Sequence, residues 1–170
     1  SLSPYASDSS IGQDDSRVEA ETSHGIAGCD RRRCRTVSWT PLSVVVPLYD
    51  EAPGVQALAE ALEGLLRAAR RAGREVELVF VDDGSADGTG DRLSARFPPD
   101  AGPWRVICHE RNLGLSAALE TGSAAARHPL IGWLGADLTY DPLVLLELAA
   151  AVDEGADLAM ASCHHPEGRL

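Results

Sequence analysis

From Leu42 onward the chain alternates short runs of valine and leucine with longer segments whose apolar residues recur at helical spacing, and this alternation most restricts its fold. Near-continuous apolar strands must be covered on both faces, so they lie parallel, with helical crossovers packed above and below. Ser43 to Leu48 reads as the first strand, with Pro47 tolerated because it falls near a strand end. Pro53 and Gly54 open a helix in which Val55, Leu58, Leu62, Leu65, Leu66 and Ala69 share one face, and Gly73 closes it. Val76 to Val81 is the second strand, and a short helix spans Gly90 to Phe97 with Ser85, Asp87 and Thr89 as its caps. Trp104 to Cys108 makes a third strand, Asn112 to Arg127 a helix, and Leu130 to Leu134 a fourth strand. Pro142 begins a helix with Leu143, Leu146 and Ala150 on one face, and Leu158 to Ala161 reads as a fifth strand. The expected class is α/β, Rossmann-like, with a mainly parallel sheet between helices.

Residues 1–41 have a different texture, rich in Ser, Asp, Gly and Glu and without an apolar period, and are expected to form a disordered tail before a domain over 42–170. Within this tail Arg31, Arg32, Arg33 and Arg35 read as a solvated linker, and Cys29 and Cys34, with His24 nearby, lack the second ligand pair of a zinc site. Cys108 and Cys163 complete a set without a disulfide framework, which points to a reducing, cytoplasmic setting. Twenty-six acidic against 15 basic residues give a net charge of −11, which excludes a nucleic-acid binder working through a broad basic face. Every basic residue is Arg and none is Lys, which removes P-loop phosphate binding, Schiff-base chemistry and the receiver domain of two-component signalling. Neither a transmembrane segment nor a secretory h-region is present in this chain, which begins at Ser1 rather than Met.

Three strands run into acidic turns: Asp50 and Glu51 after the first, Asp82 and Asp83 after the second, Asp137 after the fourth. Parallel strands bring these turns to one sheet edge, where α/β proteins bind ligands. Clustered carboxylates repel one another unless a cation or donor groups compensate, so the edge suits a divalent metal or a ligand rich in hydroxyl and N–H donors. Arg111 adds a fixed positive charge whose fork matches phosphate oxygens.

Four ordered motifs carry a family resemblance: SVVVPLYDE over Ser43 to Glu51, VDDGSADGT over Val81 to Thr89, RNLGLSAA over Arg111 to Ala118, and ADLTYDP over Ala136 to Pro142. Together they resemble glycosyltransferase family 2, most of all the branch that moves a sugar from a nucleotide onto a polyprenyl phosphate. The resemblance implies a GT-A fold, a UDP- or GDP-sugar donor, transfer with inversion, and Mg²⁺ or Mn²⁺ as cofactor. It implies that Tyr49, Asp50, Glu51 and Asp82 or Asp83 contact base and ribose, that Pro47, Arg111 and Ala136 belong to the same donor site, and that Asp137 holds the metal. A lipid-phosphate acceptor further implies peripheral contact with the cytoplasmic face of a membrane.

The chain departs from the family pattern in four places. Gly135 and Thr139 stand where the family has a second Asp and often Gln, Cys163 replaces an arginine, and Asp50 replaces a usual Asn. The family continues past the position of Leu170 into an acceptor half that carries its usual catalytic carboxylate, so no catalytic residue is named. His164 and His165 read as solvent-exposed rather than as a substitute base. A phosphate acceptor has the smaller need of a base, because its second pKa lies near ~6 and it is largely anionic at neutral pH. The alternative is a degenerate, non-catalytic relative that serves as a nucleotide-binding or interaction module.

Overall fold

The computed structural model describes residues 38–162. The arginine knot, His24, Cys29, Cys34, Cys163, His164, His165 and the tail up to residue 37 lie outside the described residues.

Four parallel strands form one sheet in the order β3-β2-β1-β4, with β1 over Leu42–Leu48, β2 over Val76–Asp82, β3 over Trp104–Cys108 and β4 over Leu130–Trp133. Four helices connect or follow them: α1 over Val55–Ala72, α2 over Thr89–Arg96, α3 over Leu115–Ala125 and α4 over Val144–Asp153. The chain steps from β1 to β2 to β3 and then crosses back to place β4 on the other side of β1. The sheet therefore has its topological switch beside β1, and all four carboxyl ends share one edge.

Alternation along the strands assigns each face. Val44, Val46, Leu48, Leu78 and Phe80 join the buried faces of α1, α2 and α4 in the larger core, while Val45, Val79 and Val81 meet Ala118 of α3 in a smaller one. The expected face of α1 is the observed one: Val55, Leu58, Leu62, Leu65 and Ala69 are buried, each large side chain contributing roughly 1.5–3 kcal/mol by leaving water. Gly73 ends α1 in the left-handed conformation at φ 75°, as expected of a glycine C-cap.

Pro47 sits in the central strand, and the direction of its missing donor explains why. Leu48 O accepts from Asp83 N on the β2 side, whereas Val45 O accepts from Leu134 N on the β4 side. Residue 47 points the same way as 45, and β4 pairs no further along β1 than Val45, so no ladder bond is lost.

Several expectations change. α4 buries Leu145 and Ala149 rather than the expected face of Leu143, Leu146 and Ala150, and Leu143 is 42% exposed. Leu158 to Ala161 is not a strand: Leu158 and Met160 are 80% and 78% exposed, so alternate residues find no surface to bury against. β4 is thus the sheet edge among the described residues, and it faces an open apolar groove of about 540 Å³ lined in part by Ile131, Trp133, Leu148 and Met160. The helix expected from Asn112 starts only at Leu115, because the Leu113 and Gly114 amides bond to Asp83 instead of opening a helical turn. Ahead of β1, Trp39 Nε1 donates to Ala72 O at 2.9 Å, and Arg74 holds both Thr40 O and Asp153. These contacts fasten residues just upstream of the expected domain boundary at 42.

Candidate functional site

The loop after β1 and the loop after β2 are stitched into one body at the carboxyl edge. Asp50 N donates to Ser85 Oγ at 2.9 Å, and Ala86 N donates back to Asp50 Oδ1 at 3.0 Å. Glu51 N donates to Thr89 Oγ1 and Ala52 N to Asp87 Oδ2, each at 2.9 Å. Asp50 sits at φ 52°, a left-handed conformation that Asn and Asp adopt more readily than other side-chain-bearing residues, so the exchange of one for the other at this position is conformationally neutral. The Asp87 side chain also accepts Thr89 N at 3.0 Å and the Thr89 hydroxyl at 2.6 Å. The hydroxyl above all, opposed by burial and helped by the Ala52 and Thr89 amides, holds the Asp87 carboxyl below its usual range. Asp87 and Thr89, expected as caps, instead fix the β1–α1 loop, since Gly88 is the N-cap of α2 and no side chain caps it.

The acidic pair divides its work. Asp82 turns back to Ser85, accepting from its N–H at 3.2 Å and from its hydroxyl. Asp83 faces the loop after β3, where it accepts Leu113 N at 2.9 Å, Gly114 N at 2.8 Å and His109 Nδ1 at 2.7 Å. Burial pushes the Asp83 carboxyl up, but the Leu113 amide, His109 and the Gly114 amide together outweigh it and hold the group below its ordinary value. Three of the roughly four acceptor positions of that carboxylate are filled, which leaves one, on Oδ2.

Gly84 lets the two loops touch. A Cβ on it would stand 2.2 Å from Arg111 C and 2.6 Å from Asn112 N, and its φ of +72° is itself a glycine conformation. Arg111 is exposed and has no ion-pair partner among the described residues. Tyr49, which precedes Asp50 in the chain, is 48% exposed, and Pro47 and Ala136 are partly buried.

Asp137 follows β4 on the same edge, but no hydrogen bond among the described residues ties it to the other loops. Its Oδ1 accepts Thr139 N at 3.1 Å and its Oδ2 accepts the Thr139 hydroxyl at 2.7 Å, and these donors, the hydroxyl first, keep its carboxyl below the usual range. Leu138 between them adopts φ 53°, strained for a leucine, so the turn is held by the Asp137–Thr139 pair. Among the described residues no group of three or more His, Cys, Asp or Glu side chains gathers as a metal cage. An exposed, ionised carboxylate still suits a hard divalent ion that completes its shell with ligand oxygens and water.

Sequence reasoning missed His109 and Thr121. His109 is partly buried, with Nδ1 on Asp83 and Nε2 2.9 Å from the Thr121 hydroxyl. The register Asp82↔Cys108 was the available signal, because it sets the residue after β3 level with the residue after β2.

A parallel α/β sheet with acidic turns at its carboxyl edge is a fold of the GT-A type, and solved structures of that type superpose on it. The chain belongs to Glycosyl transferase family 2, whose sequence model matches residues 43–169. A dolichol-phosphate mannosyltransferase from Pyrococcus furiosus is 30% identical over 132 residues, covering 76% of this chain and 35% of that protein. An undecaprenyl-phosphate 4-deoxy-4-formamido-L-arabinose transferase from Shewanella sediminis is 36% identical over 117 residues, covering 68% of this chain and 34% of that one. Among solved structures, a Pyrobaculum calidifontis mannosyltransferase in complex with GDP-Man and Mn²⁺ superposes with a TM-score of 0.56 at 26% identity, over 71% of this chain and 34% of its own. The chain thus spans about a third of the length of the relatives it matches.

Proposed function

We propose that this chain is the nucleotide-sugar-binding portion of an inverting glycosyltransferase that moves a sugar from a UDP- or GDP-sugar to a polyprenyl phosphate. The observation that carries the reading is the preassembled edge, where the β1–α1 and β2–α2 loops are joined by reciprocal hydrogen bonds and Arg111, without an ion-pair partner among the described residues, has its backbone packed against Gly84. Tyr49, Asp50, Glu51 and Asp82 form the nucleoside side with Pro47 and Ala136, while Asp83, with most of its acceptor positions filled by the loop after β3, holds the segment that carries Arg111. Arg111 takes the diphosphate oxygens in a bidentate fork. Asp137 holds Mg²⁺ or Mn²⁺, and the bound ion supplies charge neutralisation for the departing nucleotide. Loops that need no rearrangement keep the cost of binding low. The acceptor's phosphate arrives as an anion and brings the protein to the cytoplasmic face of the membrane, the named acceptors of the sequence relatives supporting this choice.

Gly135 favours a second reading. With one carboxylate where the family pattern has two, the domain is a binding module without transfer activity. Calorimetry of GDP and UDP with Mn²⁺ tests the first reading: binding is expected in the micromolar to millimolar range and about tenfold weaker in Asp137→Ala. No heat with either nucleotide would end the donor-site reading, while donor hydrolysis or sugar transfer by a longer form of the protein, abolished by Asp137→Ala, would reject the module.

A further inference from the structure

His109 belongs to none of the expected contacts, yet it is partly buried at this edge and both of its ring nitrogens are used. Nδ1 bonds to an Asp83 carboxylate held in its ionised form, so Nδ1 carries the proton and donates. Nε2 lies 2.9 Å from the hydroxyl of Thr121 in α3, which can serve it as donor or acceptor.

Asp83 is the hub of a closed loop. The segment from His109 to Gly114 leaves β3 and enters α3, and the same carboxylate grips it at both ends, through the His109 ring and through the Leu113 and Gly114 amides. His109 N also donates to Asp82 O at 2.8 Å, which fixes the base of the loop on β2. Arg111 stands at the apex, its backbone pressed against Gly84. A carboxylate that meets the N-terminus of an 11-residue helix is also favoured by the helix dipole. Without His109, Asp83 would keep its two amides but lose the donor that sets the rotation of its carboxylate plane, and α3 would lose its tie to the loop.

We infer that His109 is a positioning residue for diphosphate binding: braced by Thr121, it orients Asp83, which fixes the loop that presents Arg111 to the ligand. The inference rests on the donor-site reading above. Its effect is selective, because Arg111 reaches phosphate whereas the stitched β1–α1 and β2–α2 loops contact the nucleoside.

The test uses the full chain as unsubstituted protein and as His109→Ala, His109→Asn and Thr121→Val, with GDP, UDP, guanosine and uridine as probes in the presence of Mn²⁺. His109→Asn retains a donor near the Nδ1 position, so it should rescue what His109→Ala loses. In His109→Ala, GDP or UDP binding is expected to weaken about tenfold, with the nucleosides changed less than about twofold. The Leu113 and Gly114 amides should exchange with solvent faster in His109→Ala and Thr121→Val, and return towards the unsubstituted rate in His109→Asn. The inference is overturned if His109→Ala keeps both diphosphate affinity and amide protection, if diphosphate and nucleoside weaken equally, or if Asn rescues nothing. Absence of any nucleotide binding by the unsubstituted chain would instead sink the donor-site reading, and amide exchange would still decide whether His109 holds the loop.

Discussion

At the scale of single residues, the buried carboxylates act mainly as acceptors that hold backbone in place. Glu77 is the clearest case away from the site: it accepts the Ser43 hydroxyl and Arg127 N, each at 2.6 Å, and pairs with Arg105 at 2.8 Å. Burial raises its pKa, but Ser43, the Arg127 amide and Arg105 together bring it below the ordinary 4.5. Because the folded-state value is depressed, its stabilisation is present in full above about pH 4.5 and is lost as pH falls through the folded value. Urea melts between pH 7 and pH 3 should therefore show the unsubstituted chain losing stability below the ordinary glutamate range, and Glu77→Gln should be less stable at neutral pH with a shallower acid decline. An unchanged acid decline in Glu77→Gln would show that this network does not bear on stability. The same view separates what could be read at the site from what could not. Asp82 and Asp83 were legible as an acidic pair at a strand end, since an apolar run stops at them. Their division of labour was not, because it depends on partners about thirty residues away, at His109, Leu113 and Gly114.

At the scale of elements, the pattern of side chains was informative wherever the element makes its own surface. The apolar stripe of α1 and the near-continuous apolar runs of β1 and β2 specify what must be covered, and both are buried as expected. The start of α3 and the fate of Leu158 to Ala161 depend on neighbours instead, a carboxylate in one case and a missing strand partner in the other. α3 also shows how closely an element can be constrained by its packing. A Cβ on Gly122 would lie 2.3 Å from Val45 Cγ1 and 3.2 Å from Val81 Cγ2, both in the centre of the sheet. Alanine would gain up to ~1 kcal/mol of helix propensity, whereas overpacking costs about 1–3 kcal/mol, so the clash decides the sign. Gly122→Ala is expected to lower the midpoint of thermal or urea unfolding, and a stabilised variant would contradict the close packing of α3 on β1.

For the molecule as a whole, the sheet order sets everything that matters for ligand binding. β1 lies between β2 and β4, so the switch in strand order falls beside the loop carrying Tyr49, Asp50 and Glu51, and the other loops gather around it. The net charge of −11 leaves Arg111 as a local exception at this edge rather than part of a basic face. Trp133, 59% exposed on β4, and the adjoining groove show that this side of the sheet is uncovered among the described residues, in a chain that spans a third of its relatives. The central claim is that one edge of this sheet binds a nucleoside diphosphate, and an amide chemical-shift map of the full chain titrated with GDP or UDP in the presence of Mg²⁺ tests it most directly. Shifts confined to the loops around Asp50 and Glu51, Asp82 to Ala86 and Arg111 to Gly114, with Asp137 moving only when the metal is present, are the expected result. Shifts centred on the β4 groove, or none at saturating nucleotide, would contradict it.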